Sequence, residues 1–182
     1  MFGFGKKKKP EPVFVENELG KFKLIENHST VKRDGKKGSF VYRYYDGEAL
    51  WHGAESKISA TVRCNNDPTG EAGFKRLAWA VENSAELEKR LIEFTLNDFL
   101  DKDDPNAPIE IWSLPDDDDE SDEEPDPMPP EEFKKHISVG FICVEDDETI
   151  DIDMDLDGLF TDHGFMIYID KDGNITDGAL WG

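Results

Sequence analysis

The chain has 182 residues and a formal net charge of −21, a length that suits one domain. Its 37% hydrophobic and 11% aromatic content is enough for a core, which excludes global disorder. The charge is lopsided, with 17 Lys/Arg against 14 Asp/Glu in residues 1–96 and 4 against 28 in residues 97–182, so the second half repels nucleic acid and anionic lipid and favours basic proteins.

Residues 1–11 couple Phe2 and Phe4 to Lys6, Lys7, Lys8 and Lys9, and read as a basic solubilising tail rather than a membrane contact. The start lacks the apolar stretch of a secretory leader. No run approaches the roughly 20 apolar residues of a membrane span, so the expected location is the cytoplasm. Residues 12–182 form the expected single domain. From Val13 to Cys64 the pattern is β: a hairpin closing near Gly20, the strand "GSFVYRYY", a turn at Asp46-Gly47, then "ALWHG" and "SKISATVRC". Cys64 and Cys143 lie far apart and read as small buried hydrophobes in a reducing compartment.

The period then changes. Phe74, Leu77, Ala78 and Val81 recur at helical spacing, and Leu87, Leu91, Phe94 and Leu96 continue it. Asn83 with Glu86 resembles a capping box and predicts a second helix or a kink there. Residues 115–130 are acid and proline with almost no apolar side chain, which predicts a disordered loop interrupting the domain. Pro129 and Pro130 lead into a short helix, followed by two β runs around the acidic turn Glu145 to Glu148 and a closing hairpin at Asp172-Gly173. The fold class is therefore α+β: an antiparallel β-sheet, made of an N-terminal meander plus C-terminal hairpins, covered by two helices.

"DIDMDLDGLF", residues 151–160, poses a choice between a calcium loop and a strand. Asp153, Asp155, Asp157 and Gly158 fit the first positions of an EF-hand loop, but the bidentate glutamate at position 12 is replaced by Gly164. The competing pattern is alternation, with Ile150, Ile152, Met154 and Leu156 on one face and Asp151, Asp153, Asp155 and Asp157 on the other. Same-face side chains on a strand recur about 6.6–6.8 Å apart, too far for one ion to gather more than two of these carboxylates. The stretch reads as a strand, and a weak cation site at Asp153, Asp155 and Asp157 stays as an alternative.

The stretch "DLDGLFTDHGFMIYIDKDGNITDGALWG" resembles an uncharacterised bacterial family catalogued as domain of unknown function 2262. The matching positions are Asp157, Leu159, Phe160, His163 and Gly182. With "EEFKKHISVGFICV" and the helical stretch around Asn97, the resemblance spans roughly residues 70–182. Thr161-Asp162 stands where the family often has Trp-Gly. The resemblance implies a shared fold and a bacterial origin, and it implies no activity or cofactor.

The histidines His28, His52, His136 and His163 show no metal spacing, no G-x-S-x-G occurs, and neither cysteine carries a nucleophile signature. No metal or cofactor is expected. Two functions remain. The first is non-catalytic binding of a basic protein, as an immunity protein or inhibitor would do, through Asp116, Asp117, Asp118, Asp119, Asp151, Asp153, Asp155 and Asp157. The second is a small-ligand site or enzyme in a pocket formed by Trp51, His52, Phe160, Asp162 and His163.

Overall fold

A computed structural model of the protein describes residues 12–33, 36–52, 56–111, 126–160 and 163–181. The tail at 1–11 and Asp116 to Asp119 lie outside the described residues, as do Thr161 and Asp162. Strands β1 (Phe14–Asn17), β2 (Gly20–Arg33), β3 (Lys36–Trp51) and β4 (Ser56–Arg63) form one antiparallel meander. A second comprises β7 (Ser138–Val144), β8 (Ile150–Asp155), β9 (Gly164–Ile169) and β10 (Ile175–Trp181). The two meanders join into one eight-stranded sheet through β4 and β7, which run parallel with Ser59 opposite Phe141 and Val62 opposite Val144. The sheet is thus mixed, not purely antiparallel as the hairpin signals predict. Sequence alternation specifies hairpins well, but it carries no information about which strands meet across a long connection.

That connection holds helices α1 (Glu71–Glu82) and α2 (Ser84–Phe99), a small ribbon of β5 (Ile109–Ile111) with β6 (Asp126–Met128), and helix α3 (Pro130–Phe133). Strand β6 lies within the range read as a loop: Met128 opposite Ile109 gives its last residues an apolar partner. Of that loop, residues 115–125 are outside the described residues, and Pro130 already belongs to α3. A parallel pair needs a crossover, and helices are its usual content because they bury the sheet face they cross. No helix among the described residues is long and apolar enough to cross a membrane.

Alternation along each strand sorts the sheet into two faces. Phe22, Tyr45, Ala60, Val62, Ile142, Val144, Ile152, Met154, Phe165 and Ile167 are buried under the helices, with Leu77, Leu87 and Leu91 packed into the same core. Gly73 sets how closely α1 approaches: a Cβ there would stand 2.4 Å from Val62 Cγ1, and Val144 Cγ1 is 3.8 Å away. Helix α1 therefore lies over the β4–β7 seam. Its neighbour α2 reaches the C-terminal meander through Phe94 and Phe99, whose rings meet Phe165. The cover is partial, since Leu24 on β2, opposite buried Tyr45, remains half-exposed.

Two sequence signals resolve differently from expectation. Asp46-Gly47 is not a turn, because β3 runs through it, with Asp46 opposite Lys23 and Gly47 opposite Phe22. Glycine is required there for close approach, since a Cβ would lie 2.4 Å from the Lys21 carbonyl oxygen. Asn83 does separate α1 from α2, but no capping box forms. Its side-chain amide donates back to the Trp79 carbonyl at 2.7 Å, so the chain kinks on a C-terminal contact of α1.

The helices also grip the β9–β10 turn. Arg76 donates to the Asp170 carbonyl while its guanidinium stacks on Trp79, and Arg90 donates to the Gly173 carbonyl at 3.1 Å. Gly173 has φ 86 and lies against Trp79. Alanine in a helix interior normally stabilises relative to glycine, by roughly 1 kcal/mol. Gly73→Ala is expected to do the reverse, lowering stability by about 1–3 kcal/mol through overpacking at the seam. Gly173→Ala should cost a similar amount through its left-handed backbone. Urea unfolding of each variant checks both signs.

Candidate functional site: the open face of the sheet

The face away from the helices carries the polar half of every alternation. Tyr44 stands opposite Arg63, Thr61 beside Cys143, Cys143 opposite Asp151, and Phe141 opposite Asp153. Beyond them Asp151 faces Tyr168, and Gly164 faces Trp181. Two adjoining cavities lie on this face and share Phe141. The larger, about 590 Å³, is lined by Tyr42, Tyr44, Thr61, Arg63, Cys143, Glu145, Asp151 and Met166 among others. The smaller, about 530 Å³, is bounded by Asp153, Asp155, His163 and Trp181.

Its electrostatics are uneven. Arg63 Nε lies 3.0 Å from Glu145 Oε1, and Arg43 Nε lies 2.6 Å from Glu26 Oε1, so each guanidinium already has a carboxylate. Asp151, Asp153 and Asp155 have no lysine or arginine ion pair among the described residues. Burial pushes the carboxyl groups of Glu145, Asp151 and Asp153 above their usual range, with Arg63 opposing the shift at the first two. At Asp153 the opposing contact is Trp181, whose Nε1 donates to Oδ1 at 3.1 Å. Around this acid the aromatic surface is open to solvent: Tyr42, Tyr168 and Trp181 are 47%, 41% and 48% exposed.

The strand reading holds over Ile150–Asp155. Ile150, Ile152 and Met154 are buried, Asp151 and Asp153 are half-buried, and Asp155 is exposed. The row stops at Asp155, however. Asp157 sits in a turn with φ 54, donates its backbone N–H to Asp155 Oδ1 at 2.8 Å, and pairs with His136 at 2.9 Å. Among the described residues no group of three His, Cys, Asp or Glu side chains is disposed to hold a metal ion.

Of the pocket expected from Trp51, His52, Phe160, Asp162 and His163, the four described residues are not brought together, and Asp162 lies outside the described residues. Trp51 is buried on the covered face and donates Nε1 to Glu88 Oε2 at 2.6 Å. His52, at φ 52, pairs with the same carboxylate and donates its backbone N–H to Ser84 Oγ at 3.2 Å. Phe160 stacks on Phe99 at 4.8 Å within the core. Of these four, His163 reaches the open face and lines the smaller cavity. The cause is the pleat: Trp51 shares its face with Tyr45 and Ala49, toward the helices, whereas His163 enters β9 beside open-face Gly164.

Tyr42, Tyr44, Arg63, Cys143, Glu145 and Trp181 were not legible as site residues. Their one sequence signal is period-two alternation, which marks Tyr42 and Tyr44 in "GSFVYRYY" and Arg63 in "SKISATVRC" as one outward set. Cys64 and Cys143 are both buried and free, and burial pushes both thiols up to about 11. A thiol in that range is protonated at neutral pH and is a poor nucleophile.

The fold and the face together define a class: an α+β protein whose mixed eight-stranded sheet is covered by helices on one side and presents an acidic, aromatic-walled groove on the other. Residues 38–180 match the family described as "Uncharacterized protein conserved in bacteria (DUF2262)", and the chain belongs to that family. The match begins upstream of the resemblance seen from residue 70, taking in β3 and β4, so it spans both meanders. Neither a curated protein nor a solved structure matches the chain.

Two measurements test the site. Both thiols should resist alkylation at pH 7.5 in the folded protein and react at the rate of a free thiol once urea unfolds it. Asp153 holds its proton more tightly folded than unfolded. Its contribution therefore favours folding at low pH and is lost as pH rises from 3.8 through the raised value. Asp153→Asn, which keeps an acceptor for Trp181, should be more stable than wild type at pH 7. That gain should shrink as pH falls to 3.8 in matched denaturation curves.

Proposed function

We propose that the protein is a non-catalytic binding protein of the bacterial cytoplasm that holds a basic protein partner on the open face of its sheet, in the manner of an immunity protein or inhibitor. One observation carries the reading: Asp151, Asp153 and Asp155 stand in a row on that face, without a lysine or arginine ion pair among the described residues, between Phe141 on one side and exposed Tyr168 and Trp181 on the other. Carboxylates spaced along a strand present negative charge to a positive surface and speed its encounter. The flanking aromatic rings supply the large, rigid contact area that concentrates binding energy at interfaces. The four aspartates Asp116 to Asp119 add to the same negative field at the level of sequence.

The test is capture from bacterial lysate with wild type and an Asp151→Asn/Asp153→Asn/Asp155→Asn variant. The expected outcome is a cationic protein retained by wild type at low salt, released near 0.5 M salt, and bound at least about tenfold more weakly by the variant. Equal retention by the variant would refute the reading.

A further inference from the structure

We infer that the larger open-face cavity accepts the guanidinium group of one arginine side chain, presented by the basic partner proposed above. The inference rests on that reading but is carried by a different part of the face. Thr61 and Cys143, neighbours across the parallel β4–β7 pair, line the cavity together with two carboxyl groups: Glu145, just past the end of β7, and Asp151, across from Cys143 on β8. Both carboxyls line the same cavity. Fully ionised, they repel.

Arg63 stands at the rim with a side chain 47% exposed and reaches Glu145, which leaves two half-buried carboxyls sharing one guanidinium. A second cation bridging Asp151 and Glu145 replaces repulsion with charge-assisted hydrogen bonds, and does so where water is already partly excluded. Burial is the main cause of the raised carboxyl values at both positions, with Arg63 opposing it, and Arg43, the other guanidinium of the lining, is held by Glu26 at 2.6 Å.

The walls decide which cation. Tyr44 and Phe141 border the cavity, and flat rings favour a planar, weakly hydrated guanidinium, which stacks on them while its forked N–H groups reach the carboxylates. An ammonium is compact and strongly hydrated, so it gains less from the rings. The volume of about 590 Å³ admits the methylene stem as well as the head group.

The experiment is an NMR titration of the full chain with N-acetyl-arginine methylamide, its lysine counterpart and its citrulline counterpart, the last a neutral isostere. The arginine probe should bind in the millimolar range, moving the amide signals of residues 141–145 and 150–153. Citrulline should bind at least about tenfold more weakly, lysine several-fold more weakly, and Asp151→Asn should weaken the arginine probe about tenfold. Glu145→Gln, measured beside it, separates loss of charge from loss of fold, since each variant keeps the side-chain shape. Equal binding of lysine and arginine would overturn the guanidinium assignment. No shift at these residues, with a cationic protein still captured by the row of aspartates, would overturn the slot while leaving the proposed function standing. Failure of both experiments would remove the two together.

Discussion

Contact between Gly73 and Val62 governs the architecture. Parallel strands β4 and β7 are the strand pair that joins the two meanders into one sheet, and α1 rests on that pair with no side chain to hold it away. Close approach lets Val62 and Val144 from both strands pack against one helix, so the seam is buried along its covered side. Everything on the other side follows from the pleat. Once Val62 and Val144 point into the core, Thr61, Arg63, Cys143 and Glu145 must point out, which is how residues from the two halves come to line one cavity.

The same division explains why the acid is tolerated. A strand with carboxylates at alternating positions would be costly in a sheet covered on both faces, because each ion would lose its hydration without gaining a partner. Here β8 is central, yet only one of its faces is dry. Ile150, Ile152 and Met154 anchor it from below. Their burial fixes the register, and a slip by one residue would bury the aspartates. The charge row is therefore positioned by the hydrophobic set behind it, and its partly desolvated state is imposed by its neighbours Phe141, Met166 and Tyr168.

Much of the fold was legible in local pattern: the hairpin at Gly20, the two helices, the short helix after Pro129, the β8 alternation and the closing turn at Asp172-Gly173. What local pattern misread were residues whose role is set by distant chain. Gly47 looks like a turn but answers to the Lys21 carbonyl oxygen on the next strand, and Asn83 looks like an N-cap but bonds backward. The site was less legible still. Histidine and tryptophan drew attention to Trp51, His52 and His163, and the pleat sends the first two to the opposite face from the third. The cavity gathers side chains from β3, β4, β7, β8 and β9, whose adjacency depends on the parallel pairing that no single window of sequence contains.

The parallel seam also has a kinetic side. Within each meander the partners are near neighbours in sequence, whereas Ser59 and Phe141 close a loop of roughly eighty residues. Closing such a loop spends chain entropy before any contact is made, and folds dominated by distant pairings form slowly. The order of events is thereby built in: hairpins and helices can form on local contacts, while the open-face cavity exists only after the two halves dock. A molecule halted before that step would hold its secondary structure and its acidic strand, but it would lack the groove.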